Sequence, residues 1–364
     1  MLRMKAALLE GSGTPLRIVD DVFLDDPKPG EALVRITHCG LCHSDLSIID
    51  GPMAYPMPCV LGHEAAGEIV AFGGEGGAFS VGDRVVLSMR APCDTCFHCS
   101  NGQPVLCEET SAPPGAGEAR MWRDGQPVTR GFQLAAFAEY AVVSLRGMAK
   151  IPDALPSLQA SVVGCAVQTG VGTVENVAGC GEGSKACVIG LGGVGLAMIM
   201  ALKAAGAAVI VGIDPVAERR ERAMALGATV ALASDDDQRI QTLMAMTEGR
   251  GFDAVFDNVA ATPTTREGLQ LTRSGGQLVL VGVTGVPQAP GFSTMDLVLR
   301  QKQVKGAFLG NCHPGRDLPR FMKNACGGEL DLAALVTATV PFERINDALD
   351  MMRRGEGVRT VITF

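Results

Sequence analysis

Over the first 150 or so residues the apolar positions come in short runs separated by Gly- and Pro-containing turns. Leu33–Ile36, Ala65–Ala71 and Arg84–Ser88 read as strands, broken by turns such as Lys28-Pro29-Gly30 and Val81-Gly82-Asp83. Evenly spaced short strands predict an antiparallel, barrel-like domain. The opening segment, residues 1–21, reads as its first strand. The polar, Gly/Pro-rich stretch Glu108–Gly131 reads as a long surface loop. After about residue 165 the pattern changes. Ala186–Gly190 is a continuous apolar run, Gly195–Ala205 is helical, and Ala208–Ile213 is a second run. Ala217–Leu226 is helical and closes at Gly227; Phe252–Asp257 and Gly276–Val283 read as further buried strands. Strands alternating with helices predict a parallel sheet joined by crossovers. Near the end, a helix around Ile345–Arg354 precedes a strand at Arg359–Phe364. No internal repeat is visible.

A length of 364 residues points to two domains, because single cores stop growing at roughly 250–300 residues. The formal charge of −8, with no basic run, argues against nucleic acid as a partner. No run of apolar residues is long enough to span a membrane. The N-terminal segment lacks the pattern of a signal peptide, so a cytoplasmic location is expected. Aromatics make up only 4% of the chain, with Trp122 its one tryptophan, so aliphatic packing must fill the core. Twelve cysteines in a reducing compartment read as metal ligands or catalytic groups rather than disulfides.

Gly190-Leu191-Gly192-Gly193-Val194-Gly195 follows a strand and opens a helix. In a G-x-G-x-x-G turn the first glycine permits a tight turn. The second lets backbone approach a pyrophosphate, and the third lets the helix pack closely on the sheet. The helix N-terminus supplies free N–H groups for phosphate. Asp214 ends the next strand, where an acidic side chain binds ribose hydroxyls and repels a 2′-phosphate. NAD is therefore expected over NADP. The plainer reading of Asp214 is a helix cap before Pro215.

Cys93, Cys96, Cys99 and Cys107 form C-x2-C-x2-C-x7-C. Four thiolates so spaced predict a structural, tetrahedral zinc with no open position. An iron–sulfur cluster is the rival reading, but its fourth cysteine is typically followed by proline, and Glu108 stands there. His98 reads as a bystander. Three further segments hold potential ligands: Cys39-Gly40-Leu41-Cys42-His43-Ser44-Asp45, Gly62-His63-Glu64 and Gly164-Cys165. Taking Cys42, His63 and Cys165 gives a Cys2His set, the donor type of catalytic zinc. Spacing alone cannot join segments so far apart, and a lone buried Cys is usually a small hydrophobe.

Together these motifs, with Gly-His-Glu-Ala-Ala-Gly at 62–67, Val-Gly-Asp-Arg-Val at 81–85 and Arg-Thr-Val-Ile-Thr-Phe at 359–364, resemble the zinc-containing alcohol dehydrogenases of the medium-chain dehydrogenase/reductase superfamily. The resemblance runs nearly end to end. It implies an α/β fold: a GroES-like β-barrel catalytic domain over 1–166 and 309–364, and a Rossmann, doubly wound parallel-sheet coenzyme domain over 167–308. It implies two zincs per subunit and NAD-dependent interconversion of an alcohol with an aldehyde or ketone. By resemblance, Cys42, His63 and Cys165 are the catalytic zinc ligands, and Cys93, Cys96, Cys99 and Cys107 the structural ones. Glu64 is the acidic neighbour that can approach the metal, and Asp45 the carboxylate that orients the ligand His. Ser44 takes the alcohol proton. His43 and Arg359 meet the cofactor pyrophosphate, and Gly190, Gly192, Gly193, Val194, Gly195, Asp214 and Val281 complete the cofactor site. Ser47 departs from the animal liver-type enzymes, which place a His there to end the proton relay. Met89, Leu309 and the stretch Pro52–Met57 are candidate pocket residues. The substrate expected is a primary alcohol, aliphatic or aromatic. The alternatives are a formaldehyde–thiol adduct and, less in keeping with an intact ligand set, a non-catalytic NAD- and zinc-binding regulator. A homodimer or homotetramer is expected, with Phe292–Leu299 a candidate contact.

Overall fold

The computed structural model describes residues 1–111, 113, 115–283 and 291–364. The chain forms two compact units. One comprises Met1–Gln168, Cys312–Gly328 and Val336–Phe364; the other comprises Thr169–Asn311 and Glu329–Leu335.

The first unit is built on two mostly antiparallel sheets. In one, the strand Glu31–Gly40 is central. It pairs with Glu64–Phe72 on one side and with both Tyr140–Ser144 and Arg359–Thr363 on the other. The C-terminal strand Arg359–Thr363 thus lies beside Cys39 and Gly40, with only Leu41 between them and Cys42. The second sheet holds Leu2–Leu9 against Arg17–Leu24. Alternation is visible along Glu31–Gly40, where Ala32, Val34 and Ile36 are buried while Arg35 is exposed, as a strand with one buried face requires.

The stretch Glu108–Gly131 is not all loop. Met121–Arg123 and Gln126–Pro127 form a hairpin, and Trp122 pairs with Phe23 of the second sheet. The physical cause is Asp124-Gly125. Both have positive φ, 49° and 73°, which supplies the two-residue turn whose twist suits a hairpin. Residues 112 and 114 of this stretch lie outside the described residues.

The second unit is one parallel sheet. Its strand order is Val230–Leu232, Val209–Ile213, Lys185–Ile189, Phe252–Asp257, Thr272–Leu280 and Gln303–Gly306. Cys187, Ile189, Val211, Ile213, Phe252, Val255 and Leu278 form its core. The inner strands Val209–Ile213, Lys185–Ile189 and Phe252–Asp257 are buried almost throughout, without alternation, as strands inside a parallel sheet are. The helix Gly193–Ala204 is buried from Leu196 through Leu202, which explains its lack of a polar face. No helix among the described residues is long and apolar enough to cross a membrane.

Candidate active site

Cys42 caps the helix His43–Ile49, and Asp45 in its first turn organises the site. The Asp45 carboxylate accepts from Cys42 N at 3.2 Å, from Gly62 N at 3.1 Å and from His63 Nδ1 at 3.3 Å. Asp45 and His63 are wholly buried. Because a carboxylate only accepts, Nδ1 carries a proton, and Nε2 is the nitrogen left for a metal. Nε2 faces Cys165 Sγ at 3.3 Å and Ser44 Oγ at 3.3 Å. Gly62 must be glycine: its φ is +89°, and a Cβ would come 2.6 Å from Phe137 N. The donor atoms of Cys42, His63 and Cys165 all lie within 4.8 Å of one another.

The charge balance at these donors fits a metal cation. A hydrogen bond from Cys165 holds the Cys42 thiol well below the usual thiol range, aided by the charges of Arg359 and His63. The same contact pushes Cys165 up. Burial alone would drain charge from His63, but Asp45 outweighs it and raises the imidazole to about 10. Three soft donors thus converge around one centre of positive charge, the role a zinc ion takes when it displaces protons from thiols and imidazole.

Glu64 and Arg359 form a buried pair behind the donors. Arg359 Nε lies 2.8 Å from Glu64 Oε2, and Glu64 Oε1 accepts from Ala166 N at 3.0 Å. Burial raises Glu64 to about 7, although Arg359 pulls the other way. Arg359 also donates to Leu41 O at 3.1 Å and approaches Cys42 Sγ at 3.8 Å. Only 3% of it is exposed, so its guanidinium is directed at the donor set. His43 is exposed at the first position of its helix. Ser47 is half-buried one turn further on.

Sequence reasoning did not single out Phe132. Its ring lies 4.3 Å from that of His63, and Tyr55 lies 6.0 Å beyond. Phe132 N donates to Tyr55 Oη at 2.8 Å. Phe132, Gln133 and Ala135 all have positive φ, between 52° and 64°, an unusual run for residues with side chains. No local pattern announces this contact, because it joins residues 69 apart in sequence. Met89 is 9% exposed in the same unit; Leu309 belongs to the other.

The sulfurs of Cys93, Cys96, Cys99 and Cys107 also lie within 4.8 Å of one another. Backbone amides aim at two of them: Cys96 N donates to Cys93 Sγ and Cys93 N to Cys107 Sγ, both at 3.3 Å. Asp94, at φ 64°, makes the turn that brings this about. The backbone N–H of Thr95 and its neighbours hold the Cys93 thiol down at about 6, which favours the thiolate a metal needs. His98 instead bonds Gln103 at 3.0 Å and stands outside the cluster.

In the second unit, Gly190 has φ +88° and directly follows the strand Lys185–Ile189. A Cβ on Gly195 would sit 2.0 Å from Gly190 O. Gly192, at the N-cap of the helix Gly193–Ala204, faces open space, with nothing within 4 Å of a Cβ there. That opening suits a pyrophosphate. Val194 lies in the first turn of this helix, and Val281 just past the strand Thr272–Leu280, its N–H bonded to Asp257 O at 2.9 Å. Asp214 is 3% exposed and accepts from Leu191 N and Val216 N, both at 2.8 Å. Its carboxylate therefore ties the glycine turn to the end of the next strand and to the segment that leads into the helix Ala217–Leu226.

Comparison with known proteins agrees with this geometry. Residues 28–153 match the alcohol dehydrogenase GroES-like domain, and residues 193–325 the zinc-binding dehydrogenase family. The chain is 33% identical to an S-(hydroxymethyl)glutathione dehydrogenase of Photobacterium damsela subsp. piscicida, with 100% of both chains covered. It is 35% identical to putative alcohol dehydrogenase D of Mycobacterium tuberculosis, over 99% of this chain and 100% of that one. The crystal structure of benzyl alcohol dehydrogenase from Acinetobacter calcoaceticus superposes with a TM-score of 0.92 at 27% identity, with 100% of both chains covered.

Proposed function

This chain belongs to the zinc-containing alcohol dehydrogenases of the medium-chain dehydrogenase/reductase superfamily, and on that premise we propose that it oxidises a primary aromatic alcohol of benzyl type. The reaction class is NAD-dependent exchange of hydride between an alcohol and its carbonyl product. The observation that carries the substrate class is the aromatic wall, Phe132 on His63 with Tyr55 behind it. An aryl ring gains there by stacking and by leaving water, and the similar fold of a benzyl alcohol dehydrogenase accords with it.

Cys42, His63 and Cys165 are the residues that would hold the catalytic zinc, and the four-cysteine lobe the structural one. The glycine turn, Asp214 and Val281 would hold NAD. When bound, zinc supplies a Lewis acid that lowers the hydroxyl pKa, and NAD supplies the hydride acceptor. Ser44 Oγ, beside His63 Nε2, accepts the proton of the alcohol. Asp45 fixes the His63 tautomer. Phe132 shields the site from water. With Ser47 in place of histidine, the proton leaves to solvent. His43 would serve the pyrophosphate. Arg359, in contact with Glu64 and near Cys42, sets the charge behind the donors.

The barrel-like and parallel-sheet units correspond to catalytic and coenzyme domains. Twelve free cysteines support a cytoplasmic setting. Exposed Met295, Val298 and Leu299, 68–75% accessible on the helix Thr294–Arg300, support a homo-oligomer through that face, which light scattering after size exclusion would test. NADH formation is the test of substrate. Benzyl alcohol should exceed ethanol in kcat/KM, and Phe132→Ala should erase about tenfold of that preference. A rate with formaldehyde that requires glutathione, with no turnover of benzyl alcohol, would refute this reading in favour of the thiol adduct named for the Photobacterium relative.

A further inference from the structure

The parallel sheet of the second unit has two ends. The glycine turn lies at the carboxyl end of Lys185–Ile189. At the opposite, amino end, where Lys185–Ile189, Phe252–Asp257 and Thr272–Leu280 begin, the structure holds a polar cavity of about 280 Å³. It is distinct from the region that takes the dinucleotide.

Its lining is chemically unbalanced. Lys305 reaches it from the edge strand Gln303–Gly306, and no ion pair found among the described residues involves its ammonium, the nearby ones joining Arg273 to Asp253 and Lys302 to Asp296. Arg273 donates Nε to Asp253 Oδ1 at 2.6 Å and Nη1 to Ser274 O at 2.7 Å, which among the described residues leaves Nη2 open. Asp253 is spent: its other oxygen accepts from Lys185 N at 2.7 Å. One positive charge is therefore in excess. Gln277 Nε2 donates to Ala178 O at 2.7 Å, which fixes the amide, yet its buried Oε1 meets no donor among the described residues. A buried acceptor left open can take a hydrogen bond from a donor that enters the cavity. The Ser184 hydroxyl also lines the space. Gly275, at φ +70°, keeps the wall beside Arg273 clear, since a Cβ would come 3.2 Å from Nη1.

We propose that this cavity binds a small organic anion that also carries a hydroxyl, of the class of a polyol phosphate. Lys305 and Arg273 Nη2 receive the anionic group, and Gln277 Oε1 accepts from the hydroxyl. The volume fits a molecule of about ten heavy atoms, given ~30 Å³ per water-sized group. Nothing in alcohol oxidation uses these side chains, so the site is independent of the substrate class proposed above.

The probes are glycerol 3-phosphate and inorganic phosphate, titrated calorimetrically into the zinc-loaded enzyme with NADH saturating its own site. Glycerol 3-phosphate should bind saturably and more tightly than phosphate. Lys305→Met should weaken both by about tenfold, as loss of a charge-assisted hydrogen bond implies. Gln277→Met should remove the preference for the hydroxylated ligand. Lys305→Gln, which keeps the polar tip, serves as a second variant should Lys305→Met not fold. Alcohol turnover should stay unchanged in the folded variants. Failure of both probes to bind, displacement by NADH, absence of any preference for the hydroxylated ligand, or indifference to the loss of Lys305 overturns the proposal.

Discussion

Replacing Asp45 by Asn tests whether one buried carboxylate organises the catalytic donor set. The change is nearly isosteric, so packing is preserved while the charge goes. Asp45 accepts three hydrogen bonds, from Cys42 N, Gly62 N and His63 Nδ1. An amide group offers one oxygen. If that oxygen keeps Gly62 and His63, the NH2 faces the Cys42 N–H, donor against donor. If the amide flips, the His63 bond is lost and the imidazole tautomer is no longer held. Either way a buried N–H goes unpaired, at about 1–3 kcal/mol. Loss of a group supporting a ligand His lowers metal affinity by about 10–100-fold. The assay is competition for zinc by a chromophoric chelator, starting from protein with two zincs per chain. One zinc should leave at a chelator concentration about 10–100 times lower than in the unmodified enzyme, while the other holds as before. Equal retention of both metals in Asp45→Asn, or weakening of the four-cysteine zinc instead, would refute the reasoning.

Three further predictions concern other parts of the molecule. Cys93→Ser should lower zinc content from two to one per chain by elemental analysis and drop the melting temperature, with turnover retained at low temperature, because the lobe supports structure rather than chemistry. Gly195→Ala places a methyl 2.0 Å from Gly190 O, so NADH binding followed by fluorescence should fall by more than about tenfold as the turn is forced apart; unchanged affinity would show that the turn does not hold the cofactor. Arg120, 6% exposed, grips Glu31 through two bonds of 2.9 Å, and Arg120→Ala should cost about 3 kcal/mol in urea unfolding at pH 7. Burial opposes the Glu31 charge, but Arg120 outweighs it and the carboxyl is held below its ordinary value. The stability from this pair is thus present above the unfolded carboxylate pKa of about 4.3 and lost as pH falls through the lower folded value, so the gap between the two proteins should close in acid.

Much of this protein is legible in its residue pattern. The strand Phe252–Asp257 and the helix Ala217–Leu226 lie where periodicity and terminal glycines place them, because a parallel-sheet strand buried on both faces and a capped helix carry local signals. The four-cysteine cluster is equally local, since turns of two residues aim neighbouring sulfurs at one point. The hairpin at Asp124-Gly125 was also signalled, by a turn dipeptide that a generally polar stretch obscures.

What the sequence alone determined, then, is whatever depends on residues within a few positions of each other: the alternating strands and helices of the second unit, the glycine turn, and the lobe. Only the tertiary structure decided which distant groups meet. It brings Cys42, His63 and Cys165 to one point although 102 residues separate the last two, sets Arg359 against Glu64 across most of the chain, and lays Phe132 on His63. Arg359 is placed by sheet pairing, as Arg359–Thr363 docks beside Cys39 and Gly40. The energy of such pairing comes from burying surfaces that no single segment possesses, so it leaves no mark in local spacing.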